Sequence, residues 1–159
     1  MNKLGKKVII HAPYIDQSVR YPTGCESVSA VMLLQYLGID ITVDEFIETY
    51  LEKQDFEEKD GILFGPDPRK YFCGSPYDED SFGCYAPVIV KAIEKVFSDV
   101  KTGKCGEKYA DGGQYRALDE TGTSLEKLLT KYIDDGMPVI CLACFYMREP
   151  VIGPQWYLF

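Results

Sequence analysis

The residue that most invites a chemical reading is Cys25, in Thr23-Gly24-Cys25-Glu26 just ahead of the apolar run Val28-Ser29-Ala30-Val31-Met32-Leu33-Leu34. A thiol attacks a carbonyl only as the thiolate, and a free cysteine near neutral pH is mostly protonated. The first turn of a helix favours the anion, because unpaired N–H groups and the macrodipole point towards it. Thr23-Gly24-Cys25-Glu26 has the S/T-x-x-E form of a capping box, with Thr23 as cap and Glu26 reaching back. Cys25 then falls at the second helical position, where ionisation is most favoured, and Gly24 before it leaves room for a substrate backbone. A buried cysteine that happens to open a helix is the plainer reading of position alone.

The chain has six cysteines: Cys25, Cys73, Cys84, Cys105, Cys141 and Cys144. An even count invites disulfides, but 159 residues can build a core without them. With no signal peptide in view, free thiols are expected. Cys141-Leu142-Ala143-Cys144 is a lone CxxC on an apolar run that reads as a buried strand. Residues three apart on a strand face opposite ways, so both sulfurs cannot easily grip one ion. With a single histidine and no second CxxC, a structural cysteine pair is favoured over zinc, and no metal or cofactor is expected.

These groups must be held by a few elements. The helix opened by the first capping box runs to about residue 37 and stops at Gly38, a natural residue to follow a helix end. Its body is apolar nearly all round, which marks an interior helix. Thr42-Val43-Asp44-Glu45 is a second capping box, opening a short amphipathic helix over 43–51 with Phe46, Ile47 and Tyr50 on one face. Residues 52–83 form a long irregular stretch, rich in Gly, Pro, Asp and aromatics, of the kind that is functional or a surface excursion. Pro87 suits the first residue of a helix to about residue 97, with Val88, Val90, Ile93 and Phe97 facing inward. Thr123-Ser124-Leu125-Glu126 is a third capping box; its helix ends at Gly136, and residues 137–145 follow as the buried strand. Residues 7–13 read as a short strand or extended entry segment. The sequence shows no internal repeat and no linker, so residues 1–159 read as one domain.

The segment Tyr14-Ile15-Asp16-Gln17, followed by Tyr21-Pro22-Thr23-Gly24-Cys25-Glu26-Ser27-Val28-Ser29-Ala30, resembles the active-site region of bacterial peptidases related to the bacteriocin-processing cysteine peptidases of the papain clan. The likeness continues in order through Val43-Asp44-Glu45-Phe46, Gly65-Pro66-Asp67-Pro68, Tyr85-Ala86-Pro87-Val88-Ile89 and Gly136-Met137-Pro138-Val139-Ile140. The resemblance implies an α+β papain-like fold, with a central N-terminal helix bearing the nucleophile and an antiparallel β half. It implies Cys25 as nucleophile and Gln17 as the donor of a side-chain amide to the oxyanion hole, where it would converge with the backbone N–H of Cys25. A loop glutamine in solvent is the plainer reading of Gln17.

The sequence departs from the family pattern in one respect. The family's catalytic histidine, and the Asp or Asn that orients it, lie on positions beyond Phe159. The one histidine here, His11, lies upstream of Cys25, and to act as base its ring would have to reach the sulfur. The terminus Trp156-Tyr157-Leu158-Phe159 reads as a strand cut from a longer sequence, so the antiparallel sheet is expected to be depleted. A cysteine peptidase-like protein that is inactive as given is the expectation. The alternative is a non-catalytic peptide-binding or regulatory protein on the same scaffold.

The net charge of −8 disfavours nucleic acid, since the densest basic segment, residues 101–108, is diluted by glycine and glutamate. No apolar run approaches the ~20 residues a membrane span needs, so insertion is not expected. The start, Met1-Asn2-Lys3-Leu4-Gly5-Lys6-Lys7, lacks a following apolar core, which reads as cytoplasmic; a missing leader would make the protein secreted or surface-bound. A peptide or protein substrate is the expected partner, and the oligomeric state is left open.

Overall fold

The computed structural model describes residues 8–103 and 115–143 and the backbone of Tyr157 and Leu158. Helix α1 spans Cys25–Tyr36 and buries Val28, Ala30, Val31 and Leu34. Its end follows the sequence: Gly38 takes a left-handed φ of 83°, the Gly38 N–H donates to Gln35 O, and the Ile39 N–H donates to Leu34 O. The half-buried Leu33 and Leu37 leave one flank of α1 less covered than expected for an all-round interior helix.

Helix α2, Val43–Glu45, is capped by Thr42, whose hydroxyl accepts from the Glu45 N–H at 3.1 Å. It widens at once into a π-helical turn, Phe46–Tyr50, closed by the Leu51 N–H donating to Phe46 O. Phe46, Ile47 and Tyr50 are buried, as the amphipathic pattern requires. Helix α3, Ala86–Lys101, starts with Pro87 in its first turn, where a missing N–H costs nothing, and buries Val88, Ile89, Ala92, Ile93, Val96 and Phe97. The α1, α2 and α3 faces share one buried cluster with Ile39, Ile41, Leu51 and Phe72.

The stretch 52–83 holds four short strands. β1 (Lys53–Gln54) pairs in parallel with β4 (Phe72–Cys73). β2 (Glu57–Lys59) and β3 (Ile62–Gly65) form an antiparallel hairpin. Its turn, Asp60-Gly61, has φ of 55° and 75°, the left-handed pair that an Asp-Gly dipeptide favours. β5 (Tyr157–Leu158) lies parallel to β3. Among the described residues the hairpin is the only antiparallel strand ladder, so the architecture is α+β with little sheet.

Helix α4, Leu125–Lys131, is capped by Ser124 rather than Thr123, one residue later than the capping-box reading. The hydroxyl of Thr123 donates instead to Glu120 at 2.8 Å. Gly136, with φ of 79°, ends the turn that follows. The expected buried strand is corrected by the structure. Residues 137–143 run without a ladder partner among the described residues, and Cys141 and Leu142 are exposed. An apolar run signals a buried strand only if neighbours cover it, and here nothing described pairs with it. Residues 144–145 of that strand, and Cys105, lie outside the described residues.

Candidate active site

Cys25 is the first residue of α1, with Gly24 as cap, rather than the second behind Thr23. The first capping box does not form, because a distant loop supplies better partners for both of its ends. Thr23 Oγ1 donates to Ser75 O at 3.1 Å and to Asp78 O at 2.7 Å. Glu26, buried at 7% exposure, turns forward: its Oε1 accepts from the Cys84 N–H at 3.0 Å. Gly24 is buried, and a Cβ there would meet Tyr21 Cβ at 2.9 Å and Pro76 Cβ at 3.1 Å. Its small size serves internal packing, not the approach of a substrate backbone.

The residue Cys25 is exposed, and its Sγ donates to Glu26 Oε2 at 3.2 Å. Desolvation of the sulfur, then the charge and hydrogen bond of Glu26, push the thiol up to about 11. These effects, desolvation first and the contacting carboxylate second, run against the poised thiolate expected of a helix N-terminus. Cys73 is likewise pushed up to about 11 by burial and by Asp67, and burial raises Cys84 further.

Gln17 belongs to the turn that delivers α1. Its carbonyl accepts from the N–H groups of Arg20 and Tyr21, and Tyr21 O accepts from the Gly24 N–H. Two consecutive turns thus join Gln17 to the residue before Cys25. Asp44 fixes this turn from below: its Oδ1 accepts from Tyr21 at 2.9 Å and from Tyr77 at 3.1 Å, and its Oδ2 pairs with Arg20 at 2.6 Å. The side-chain amide of Gln17 has no hydrogen-bond partner among the described residues. His11 is exposed on the extended segment and makes no hydrogen bond to Cys25, whose thiol is committed to Glu26.

A groove of about 1000 Å³ opens beside this site, bounded by Glu26, Tyr85, Ile93, Phe97, Met137 and Leu142 among others. Tyr85 makes an edge-on contact with Phe82 and carries the guanidinium of Arg69 5.5 Å from its ring centre. Sequence reasoning missed the roles of Glu26 and Asp44. For Glu26 the signal was a charge next to a thiol, read instead as a cap. No group of three or more potential metal ligands is assembled among the described residues, and Cys144 of the CxxC lies outside them.

The order of motifs around Cys25 is reflected in a family match. Residues 9–150 match the family model described as the Peptidase_C39 like family. The chain belongs to the peptidase C39-like family. Its α+β architecture is the papain-like one, with the cysteine at the start of the central helix. The chain is also similar to a crystal structure from Bacillus anthracis that bears the name of a C39-like peptidase. The identity is 25%, the TM-score 0.47, and the match covers 62% of this chain and 57% of that one. The chain thus spans little more than half the length of that C39-like structure. A search of curated proteins finds no match. For this C39-like chain, no helix among the described residues is long and apolar enough to cross a membrane.

Proposed function

We propose that this protein is a cysteine peptidase-like thiol hydrolase of peptide bonds, with Cys25 as nucleophile and Gln17 as an oxyanion donor beside the Cys25 N–H. The single observation that carries the reading is the presentation of an exposed Cys25 sulfur on the first turn of α1. The side-chain amide of Gln17, without a partner among the described residues and held two turns upstream, supports the oxyanion assignment. A single papain-like domain over residues 1–159 is part of the same reading, supported by the one buried cluster that α1, α2 and α3 share.

The 159-residue chain by itself should turn over little or no peptide. No base is hydrogen-bonded to Cys25 among the described residues, and a positioned base contributes about 10²–10⁴-fold. An added small base should therefore restore chemistry. An activated peptide thioester, incubated with the chain and increasing imidazole, is expected to hydrolyse above the solution rate, and Cys25→Ala should remove that increment. An imidazole-dependent increment that survives Cys25→Ala would remove the nucleophile from this reading. Unaided peptide turnover that depends on Cys25 would contradict the inactivity of the isolated chain.

A further inference from the structure

Glu26 is one of only two buried polar or charged side chains in the described core, the other being Ser27. A buried carboxylate is costly unless its oxygens are satisfied. Here each oxygen has one partner: the Cys84 N–H on Oε1 at 3.0 Å and the Cys25 thiol on Oε2 at 3.2 Å. No lysine, arginine or histidine pairs with it among the described residues. Among the described residues the titratable neighbours of the sulfur are Glu26 on α1 and the buried thiol of Cys84, before α3; Cys73, on β4, lies on the far side beside Cys84. The backbone is shaped around the carboxylate: Gly83 has φ of 94°, and a Cβ there would lie 2.3 Å from Glu26 Oε1.

We infer that Glu26 is a positioning residue that holds Cys25 as a resting thiol and makes its ionisation depend on the arrival of a cation-forming base. The inference rests on Cys25 being the reacting group. Glu26 takes the S–H hydrogen bond, which fixes the sulfur, and its charge opposes a second negative charge on Sγ. When a neutral imidazole docks, the S–H proton moves to the ring nitrogen, leaving a thiolate and an imidazolium. The same carboxylate then favours the imidazolium. Glu26 thus penalises the thiolate alone and stabilises it as one member of an ion pair. The raised pKa of Cys25 in the absence of a base agrees with the first half of this behaviour.

The test is site-resolved alkylation of Cys25 by iodoacetamide as a function of pH, read by mass spectrometry, in wild type, E26Q and E26D. Gln keeps the acceptor for Cys84 and removes the charge, so E26Q should label Cys25 at least about ten-fold faster near pH 8, with its midpoint moved down. E26D keeps the charge and should retain a raised midpoint. Unchanged labelling in E26Q, or equal acceleration in E26D, would overturn the inference. Wild type alone supplies a check that needs no variant: a Cys25 midpoint at or below that of a free cysteine peptide would also overturn it. These readouts concern the thiol and not turnover. Their failure leaves the nucleophile assignment to the imidazole experiment, and the failure of that experiment leaves these readouts intact.

Discussion

The Oε1 atom of Glu26 occupies the space that a side chain on residue 83 would need: a Cβ built on Gly83 would lie 2.3 Å from it. Gly83 also sits at φ of 94°, where an L side chain is strained. Gly83→Ala should therefore do two things at once. It should destabilise the protein by about 2 kcal/mol or more, through backbone strain and displacement of a buried carboxylate. It should also break the bond to the Cys84 N–H. A denaturant midpoint no lower than wild type would contradict the packing described around Glu26.

Asp44 ties the turn carrying Gln17 to α2 through two tyrosine hydroxyls on one oxygen. Its ion pair with Arg20 is largely exposed and contributes little. Asp44→Ala leaves the Tyr21 hydroxyl without its acceptor and the Tyr77 hydroxyl with Glu48 alone, and should cost about 2–3 kcal/mol, whereas Arg20→Ala should cost less than ~1 kcal/mol. Chemical denaturation of the two variants checks the ranking. Equal costs would mean that the ion pair, not the tyrosine pair, holds the turn.

Ser27 is fully buried, and its hydroxyl has no hydrogen-bond partner among the described residues. Removing an unsatisfied buried hydroxyl relieves a desolvation cost of about 1–3 kcal/mol, against the loss of a small packing volume. Ser27→Ala is expected to unfold at the same denaturant concentration as wild type or a higher one. A clear loss of stability would show that the hydroxyl has a partner.

How far the sequence carried these conclusions varies from element to element. The three capping boxes have the same residue pattern and three outcomes. Thr42 caps as read, Ser124 takes the role expected of Thr123, and Thr23 does not cap at all. The difference at Thr23 is not local: residues 75–84 bring two carbonyls to its hydroxyl and one N–H to Glu26. A four-residue motif cannot contain partners some fifty positions away. The α1 helix, its end at Gly38 and the start of α3 at Pro87 depend on neighbouring residues, and they are where the sequence puts them. The Asp60-Gly61 hairpin carried a local signal that the reading of 52–83 as an irregular stretch passed over. The run from 137 shows the opposite error, because burial depends on what packs against a strand. At the site, the place of Cys25 in the first turn of α1 was legible and the contact of Glu26 with its sulfur was not, since Glu26 was assigned to a cap.

The thiols and tyrosines set a limit on stability in alkali. Cys25 and Cys73 are pushed up to about 11 from a free value near 9, Cys84 is raised further, and Tyr21 and Tyr77 are also raised. A raised acid binds its proton in the folded state after the unfolded chain has lost it. The stabilisation is complete below about pH 9 and is lost as pH rises towards and through about 11. Denaturant midpoints should hold from pH 7 to 9 and fall steadily above that. A midpoint flat to pH 11 would contradict the raised ionisation of these groups.

The most direct measurement of the central claim is the location of the acyl group during imidazole-assisted turnover. The chain is mixed with an activated peptide thioester and imidazole, quenched in acid, digested and mapped by mass spectrometry. A transient acyl group on Cys25, released by hydroxylamine and missing from Cys25→Ala, is the predicted result. Acyl transfer to other residues with Cys25 untouched, in a protein that still hydrolyses the thioester, would contradict the account.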